Sequence, residues 1–163
     1  MKKKMTSFLL LILVGIMFMV FAVGSGTNVS TDAKTYKLND DINVKTNSGE
    51  YRVKFTKIYE TSYRNDFTDI KADRVVIIEY EYENISKEDD LSISDWNFKL
   101  YDKDNNKLET YPADYKPGGS VGKGRKTTGS VVYALNNSNN YIELEFYDNM
   151  LNSKPDCKVI FEW

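Results

Sequence analysis

Histidine is missing from all 163 residues, and cysteine occurs once, at position 157. The first absence removes the usual general base near neutral pH, every catalytic triad that uses imidazole, and most zinc and non-haem iron sites. The second rules out an internal disulfide and any multi-thiolate metal site. Cys157 is therefore expected as a small, buried residue opening the final strand, with an intermolecular disulfide as the alternative. An excess of one charge is missing too. The 22 Lys and Arg stand against 24 Asp and Glu, a net of −2, so the broad positive field that nucleic-acid binding needs is absent. Electrostatic recognition, if used, has to be local.

Long apolar stretches are confined to the amino terminus. "MKKKMTS" supplies three lysines and residues 8–23, "FLLLILVGIMFMVFAV", form an unbroken apolar run of 16. This is the pattern of an export signal or membrane anchor. Lysines ahead of the run hold the amino terminus in the cytoplasm, so the remainder is expected outside the membrane, secreted or anchored. As a helix the run reaches about 24 Å, short of the roughly 30 Å hydrocarbon core, which favours a cleaved signal peptide over a stable span. Ala22 and Gly24 have the small-residue spacing a signal peptidase reads, predicting cleavage after Gly24. Residues 1–24 are thus read as signal peptide or signal anchor. Residues 25–40, mostly Ser, Thr, Asn, Asp and Lys, read as a flexible spacer, and the domain is expected over 41–163.

Within that domain apolar residues recur with period two. Tyr51, Val53 and Phe55 alternate with charged residues, and Val76, Ile78, Tyr80 and Tyr82 alternate with Glu79, Glu81 and Glu83. Further runs fall at Trp96, Phe98 and Leu100, at Val131, Tyr133 and Leu135, at Ile142, Leu144 and Phe146, and at Val159, Phe161 and Trp163. Alternation of this kind means strands with one face buried and one wet. Seven or eight of them, separated by polar turns, predict an all-β, immunoglobulin-like antiparallel sandwich. Trp96, Phe98 and Leu100 are expected to share a core face against Val131, Tyr133 or Phe146, and the three glutamates to form a solvated face opposed by Arg52 and Lys54.

"VVIIEYEYENISKEDDLSISDWNFKLYDKDNNKLETY", followed by "KPGGSVGKGRKTTGSVVYAL" and a closing "YIELEFYD…KVIFEW", resembles the DUF4352 domains of bacterial exported proteins, related to the immunoglobulin-like MPT63 fold. The resemblance runs over roughly 41–163. It rests on a strand ending in Asn84, an aromatic-rich strand over 91–101, a hairpin, and a Pro-Gly loop before a strand from Gly129 to Leu135. It implies an Ig-like sandwich outside the membrane and brings no catalytic residues with it.

Two motifs invite chemistry and fail on spacing. Asp102, Asp104 and Asn106 stand as in the first half of a calcium loop, but Lys107 occupies the glycine position and Ala113 the glutamate position. The stretch reads instead as a turn closing a hairpin between Leu100 and Leu108, with at most a weak calcium contact from Asp102 and Asp104. "PGGSVGKGRKTTG" lacks phosphate-loop spacing and precedes a strand rather than a helix, so it reads as a mobile connection.

No cofactor is called for. What the pattern supports is an interaction module binding a protein or an anionic cell-envelope polymer through its loops. A carboxylate-based cell-wall hydrolase and a structural part of a surface assembly are the alternatives. Strand order places residues 85–90, 112–126 and 148–156 at one end of the sandwich, and 61–71, 102–106 and 136–140 at the other. The first end gathers the candidate binding residues Lys116, Lys123, Arg125 and Lys126, with Glu88, Asp89 and Asp90 nearby. The second carries the alternative, Tyr63 and Phe67.

Overall fold

The computed structural model describes residues 33–163; the signal or anchor segment and most of the expected spacer lie outside them. Eight strands form two four-stranded sheets: β1 (Lys34–Lys37), β2 (Ile42–Thr46), β3 (Gly49–Thr61), β4 (Arg74–Asn84), β5 (Phe98–Tyr101), β6 (Arg125–Leu135), β7 (Tyr141–Phe146) and β8 (Cys157–Glu162). One sheet runs β1-β8-β7-β5 and the other β2-β3-β4-β6. The sandwich is all-β, as the period-two pattern requires.

The folded unit starts earlier than Asp41. Residues 34–37, expected as spacer, form β1 and pair in parallel with β8, the one parallel strand pair among the described residues. Only Tyr36 of β1 packs on the core, so "KTYK" carries almost no alternation to read. Short, lysine-bearing strands of this kind suit a sheet edge, where charge discourages pairing with another chain.

Between the sheets lies an aromatic core. Phe55 stands 5.5 Å from Phe98, 5.7 Å from Phe161 and 6.1 Å from Tyr80, ring centre to ring centre. Such tilted and edge-on pairs add to the burial of the rings themselves. Tyr80 and Tyr82 stack on each other and send their hydroxyls to the carbonyls of Ile93 and Gly119, on the β4–β5 and β5–β6 connections. Close approach there depends on glycine: a Cβ on Gly118 would stand 2.4 Å from the Ile93 oxygen, and one on Gly129 2.6 Å from the Tyr80 ring. Gly118 is thus packed against Tyr82 and Ile93, Val121 exchanges backbone bonds with Leu91, and Gly122–Arg125 closes a hydrogen-bonded turn, so the connection expected as mobile over 117–129 is tied to the sandwich at several points. Strand β6 begins at Arg125 rather than Gly129.

A second, smaller cluster covers the outer face of the β4–β6 pair. Val75, Val132 and Ala134 are buried there with Tyr111, and Ile70 packs on them. The consecutive apolar pairs Val75–Val76 and Val131–Val132 are the sequence sign of this two-sided burial.

Candidate functional site

Ser94 to Asn97 shapes one side of a groove beside β5. Asn97 accepts the Ser94 N–H on its own side-chain oxygen at 3.1 Å and donates to the Tyr147 carbonyl at 2.9 Å, while the Tyr147 N–H returns a bond to the Asn97 carbonyl. These bonds close one 3-10 turn over Asp95–Asn97 and pin it beside the end of β7. A turn breaks the two-residue period, so Trp96 does not share the face of Phe98 and Leu100. Trp96 is 72% exposed, against 5% for Phe98 and 0% for Leu100, which corrects the expected three-residue core face. Phe98 does meet the opposite sheet, at Phe55 and Tyr80, whereas Phe146 is its neighbour within the same sheet.

Beside Trp96 the edge of β5 is only partly covered. The returning segment bonds to it through the Leu108 N–H and the Leu100 carbonyl at 2.8 Å, then leaves to pair with β6 through Glu109 and Tyr111. Where the two diverge they leave a groove of about 590 Å³. Its apolar surfaces are Trp96, Phe98, Leu108, Tyr133 and Met150, and its polar groups are Asp95, Lys99, Lys107, Glu109 and Thr110. Lys99 lies over the Tyr147 ring at 4.1 Å, and Tyr147 donates its hydroxyl to Glu145 at 2.7 Å. Burial pushes the Tyr133 phenol up to about 12, so it stays neutral and can donate a hydrogen bond. Glu109 is exposed and Asp95 half-buried. A glycosidase acid instead needs a desolvated carboxyl.

The two ends of the sandwich are assembled only in part as the strand order predicts. The 112–126 connection is not gathered at one end: the Pro112 carbonyl accepts from Asn65 in the 61–71 loop, and Lys116 bonds to Ser130 midway along β6. Asn84 pairs with Arg125, Lys123 reaches Glu88, and Tyr51 donates to Asp148, which brings 85–90, 121–126 and 148–156 together. At the other end Asp73 bonds to Asn136, and Asn137 to Asp102. The basic residues are all exposed but do not form one uncompensated patch. Lys123 pairs with Glu88 at 2.5 Å, Lys116 bonds to Thr128, and Lys126 stands opposite Glu83 on the outer face of β4. That face is the solvated lattice expected of the three glutamates: Arg52 pairs with Glu83, and Lys54 stands opposite Glu81 while bonding to Asp41 at 2.8 Å. Arg125 and Lys126 belong to strand β6 and not to an adaptable loop. At the far end Phe67 is fully exposed and Tyr63 is 44% exposed, on a loop fixed by the bond from the Asn65 N–H to the Tyr111 hydroxyl.

Asp102 answers the calcium question by its partners. Its carboxylate receives the N–H groups of Asp104 and Asn106 and the side-chain amides of Asn106 and Asn137. A cation would have to displace these donors. Asn105, in the left-handed region at φ 62°, completes the turn, and the hairpin closes between Leu100 and Leu108 as expected. Burial works against ionisation of Asp102, yet the donors from Asn106, Asp104 and Asn137 outweigh it and hold the carboxyl below its ordinary value of 3.8. A depressed folded pKa contributes stability that is present above the unfolded value and is lost as pH falls through the folded one. Asp102→Asn should therefore lower the thermal midpoint at pH 7 and reduce the further loss between pH 4 and pH 2. Equal acid sensitivity in parent and variant would assign that loss to other carboxylates. Cys157 is buried as expected, and burial raises its thiol to about 12.

The model of a family described as a domain of unknown function, DUF5067, matches residues 26–148. This replaces the DUF4352 resemblance. Among solved structures the chain is similar to the secreted protein MPT63 of Mycobacterium tuberculosis, at 13% identity and a TM-score of 0.61 over 82% of this chain and 100% of that one. It is also similar to the yjhA protein of Bacillus subtilis, at 23% identity and a TM-score of 0.52 over 78% of this chain and 98% of that one. A third, the candidate lipoprotein ycdA of Bacillus subtilis, gives 16% identity and a TM-score of 0.58 over 76% of this chain and 38% of that one. At such identities the likeness establishes the MPT63-like sandwich and nothing about chemistry. None of the curated proteins matches the chain in sequence.

Proposed function

This chain belongs to the DUF5067 family, and on that premise we propose that it is an extracytoplasmic binding module that holds a glycan strand of the cell envelope in the groove along β5. One observation carries the reading: Trp96 stands 72% exposed at the rim of that groove. An indole held out by a hydrogen-bonded turn is a flat apolar platform, and the apolar face of a sugar ring is its natural complement. Asp95, Glu109 and Thr110 supply acceptors and donors for hydroxyl groups, and Lys99 and Lys107 suit the carboxylates or phosphates of an anionic polymer. Sites that combine apolar walls with a few placed polar groups in several hundred cubic ångströms are typical of ligand pockets. The lysine-led apolar segment at residues 2–23 and the secreted status of MPT63 support the extracytoplasmic part of the reading.

Tryptophan emission reads the site directly, because Trp96 and Trp163 are the only two indoles. Soluble fragments of cell-wall glycan should shift the emission to the blue as Trp96 leaves water. Trp96→Ala should abolish that shift and weaken binding about tenfold, the equivalent of roughly 1.4 kcal/mol. Stability should change by no more than about 0.5 kcal/mol, since the side chain is exposed. Saturable binding that survives Trp96→Ala unchanged would move the site elsewhere, and no binding to any wall fragment would sink the glycan reading.

A further inference from the structure

Each sheet ends in two outer strands, and among the described residues all but one of these edges are covered or blunted. The outer edge of β5 takes the returning segment at Leu108, and that of β6 takes Glu109, Tyr111 and Lys116. Strand β1 carries Lys34 and Lys37 and no acidic residue, the kind of charge that keeps an edge from pairing. Strand β2 is the exception. It pairs with β3 alone, and its other edge takes no backbone bond from the described residues. Its inward side chains, Ile42, Val44 and Thr46, are β-branched and suit an extended strand.

The bonds of β3 fix which groups of β2 face outward. The Glu50 carbonyl accepts the Ile85 N–H on the β4 side, and the Phe55 carbonyl accepts the Asn39 N–H on the other. Backbone groups alternate in direction along a strand, so Tyr51 and Val53, like Phe55, face β2. Their partners Val44 and Ile42 are thereby engaged, which leaves the N–H and C=O of Asn43 and Lys45 on the open edge. The side chains of Asp41, Asn43 and Lys45 are exposed as well. An antiparallel second copy centred on Asn43 sets Asn43 opposite its own counterpart, Lys45 opposite Asp41 and Ile42 opposite Val44. Two-fold symmetry then makes the lysine–aspartate contact twice. Centring on Val44 instead sets Lys45 against Asn43 and loses both contacts. Within one copy Asp41 bonds to Lys54 at 2.8 Å and Lys45 to Glu50 at 3.1 Å, so pairing joins two existing pairs into one alternating cluster. Arg52, 3.9 Å from Asp41, and Asp40 in the preceding turn complete the charges along this edge, and the two signs balance. Lys34 and Lys37 belong to the other sheet, where they repel their counterparts and confine the contact to β2.

We propose that β2 is the docking edge for a second copy of this chain, paired antiparallel about Asn43 so that the two β2-β3-β4-β6 sheets join edge to edge. The lysine that deters other strands from this edge favours its own copy, because the register meets it with an aspartate. Five residues of edge make a small contact, in the class of weak and transient interfaces below about 1,200 Å². Weak pairing is sufficient for a repetitive ligand. Strands β1 and β2 lie at the opposite edges of their sheets from β5 and β6, so the groove beside Trp96 stays open in both copies. A polymer engaged by two joined grooves is held far more tightly than by one. The pairing itself does not depend on what the groove binds.

The test is disulfide trapping in the full chain, solubilised in mild detergent and oxidised, with linked pairs read on a non-reducing gel. Cys157 is 3% exposed and its thiol is held protonated by burial, so an introduced cysteine is the one that reacts. In the proposed register the two copies of position 43 stand about 5.5 Å apart, within disulfide reach. The two copies of position 45 stand about 14 Å apart and out of reach. Asn43→Cys should therefore link about tenfold faster than Lys45→Cys or the distant Phe67→Cys. Association through any other surface gives no such preference. In the Asn43→Cys background, Asp41→Lys or Lys45→Asp alone should slow linking several-fold, since each sets like charges opposite one another. The two together should restore it. Positions 41 and 45 of one chain are about 14 Å apart, so rescue reports a contact between copies. Equal linking at 43, 45 and 67, charge reversals without effect, or a double reversal that fails to restore linking would each overturn the proposal. Trp96→Ala should leave every rate unchanged, so failure of the glycan reading does not imitate failure here.

Discussion

Phe98→Ala should lower stability by about 3–5 kcal/mol, as truncations of buried aromatic side chains do. Phe98 is the ring of β5 that crosses the core: its centre lies 5.5 Å from Phe55, 5.3 Å from Tyr80 and 6.0 Å from Phe146. Two of those rings belong to the opposite sheet, so removing Phe98 takes out a contact between sheets as well as one within a sheet. The aromatic neighbours are packed among themselves and among other core side chains, which limits how far they can collapse into the space. For a domain of this size the loss corresponds to a fall of about 15 °C in the thermal midpoint. The control lies two residues away. Trp96→Ala removes a larger side chain from the same stretch and should hardly move the midpoint, because Trp96 is mostly in water. If the two variants melted alike, the 3-10 turn that separates their faces would not exist.

That contrast shows how far the sequence could be read. Alternation identified every central strand, because a strand with one wet face must write its burial with period two. It failed where the backbone left that period. At 95–97 the turn reverses which residue faces out, and its sign was present in the spacing of Ser94 and Asn97, a polar pair three apart ahead of an apolar run. At 34–37 the opposite problem arises: an edge strand with one core-facing residue, Tyr36, writes no pattern at all. Strand order alone brought 85–90, 121–126 and 148–156 together but misplaced 112–116, which runs along β6, and the basic cluster did not survive folding intact. Lys123 and Lys126 meet Glu88 and Glu83, partners 35 and 43 positions away that only the β4–β6 register brings alongside. Charges distant in sequence cannot be cancelled on paper until pairing is known. For the same reason the groove was invisible, since it arises where residues 107–110 change partners between two sheets.

Asn84→Asp should cost about 3–5 kcal/mol at pH 7, the range for a buried charge left without compensation. Asn84 closes β4 on its inward face and is 0% exposed. Its amide donates to the Asp89 carbonyl at 3.1 Å and the Val121 carbonyl at 3.3 Å, and its oxygen accepts the Lys87 N–H at 2.8 Å. One side chain thus joins the strand, the 85–90 connection and the segment leading into β6. An aspartate of the same shape keeps the acceptor and turns the donor into a second oxygen facing two carbonyls. Both effects penalise the ionised form, so the folded-state pKa of the new carboxyl is raised above its unfolded value of about 3.9. The sign then runs opposite to Asp102. The variant is least impaired below the unfolded value and loses stability as pH rises through the folded one. Urea unfolding at pH 4 and pH 7 measures this: the deficit relative to the parent should be larger at pH 7. Asn84→Ala, which strands the same carbonyls without adding charge, should cost about 1–3 kcal/mol for each group left unpaired and show no such pH dependence. A deficit in the aspartate variant that is equal at both pH values would mean that water reaches position 84, and the three-way junction at this end of the sandwich would be open.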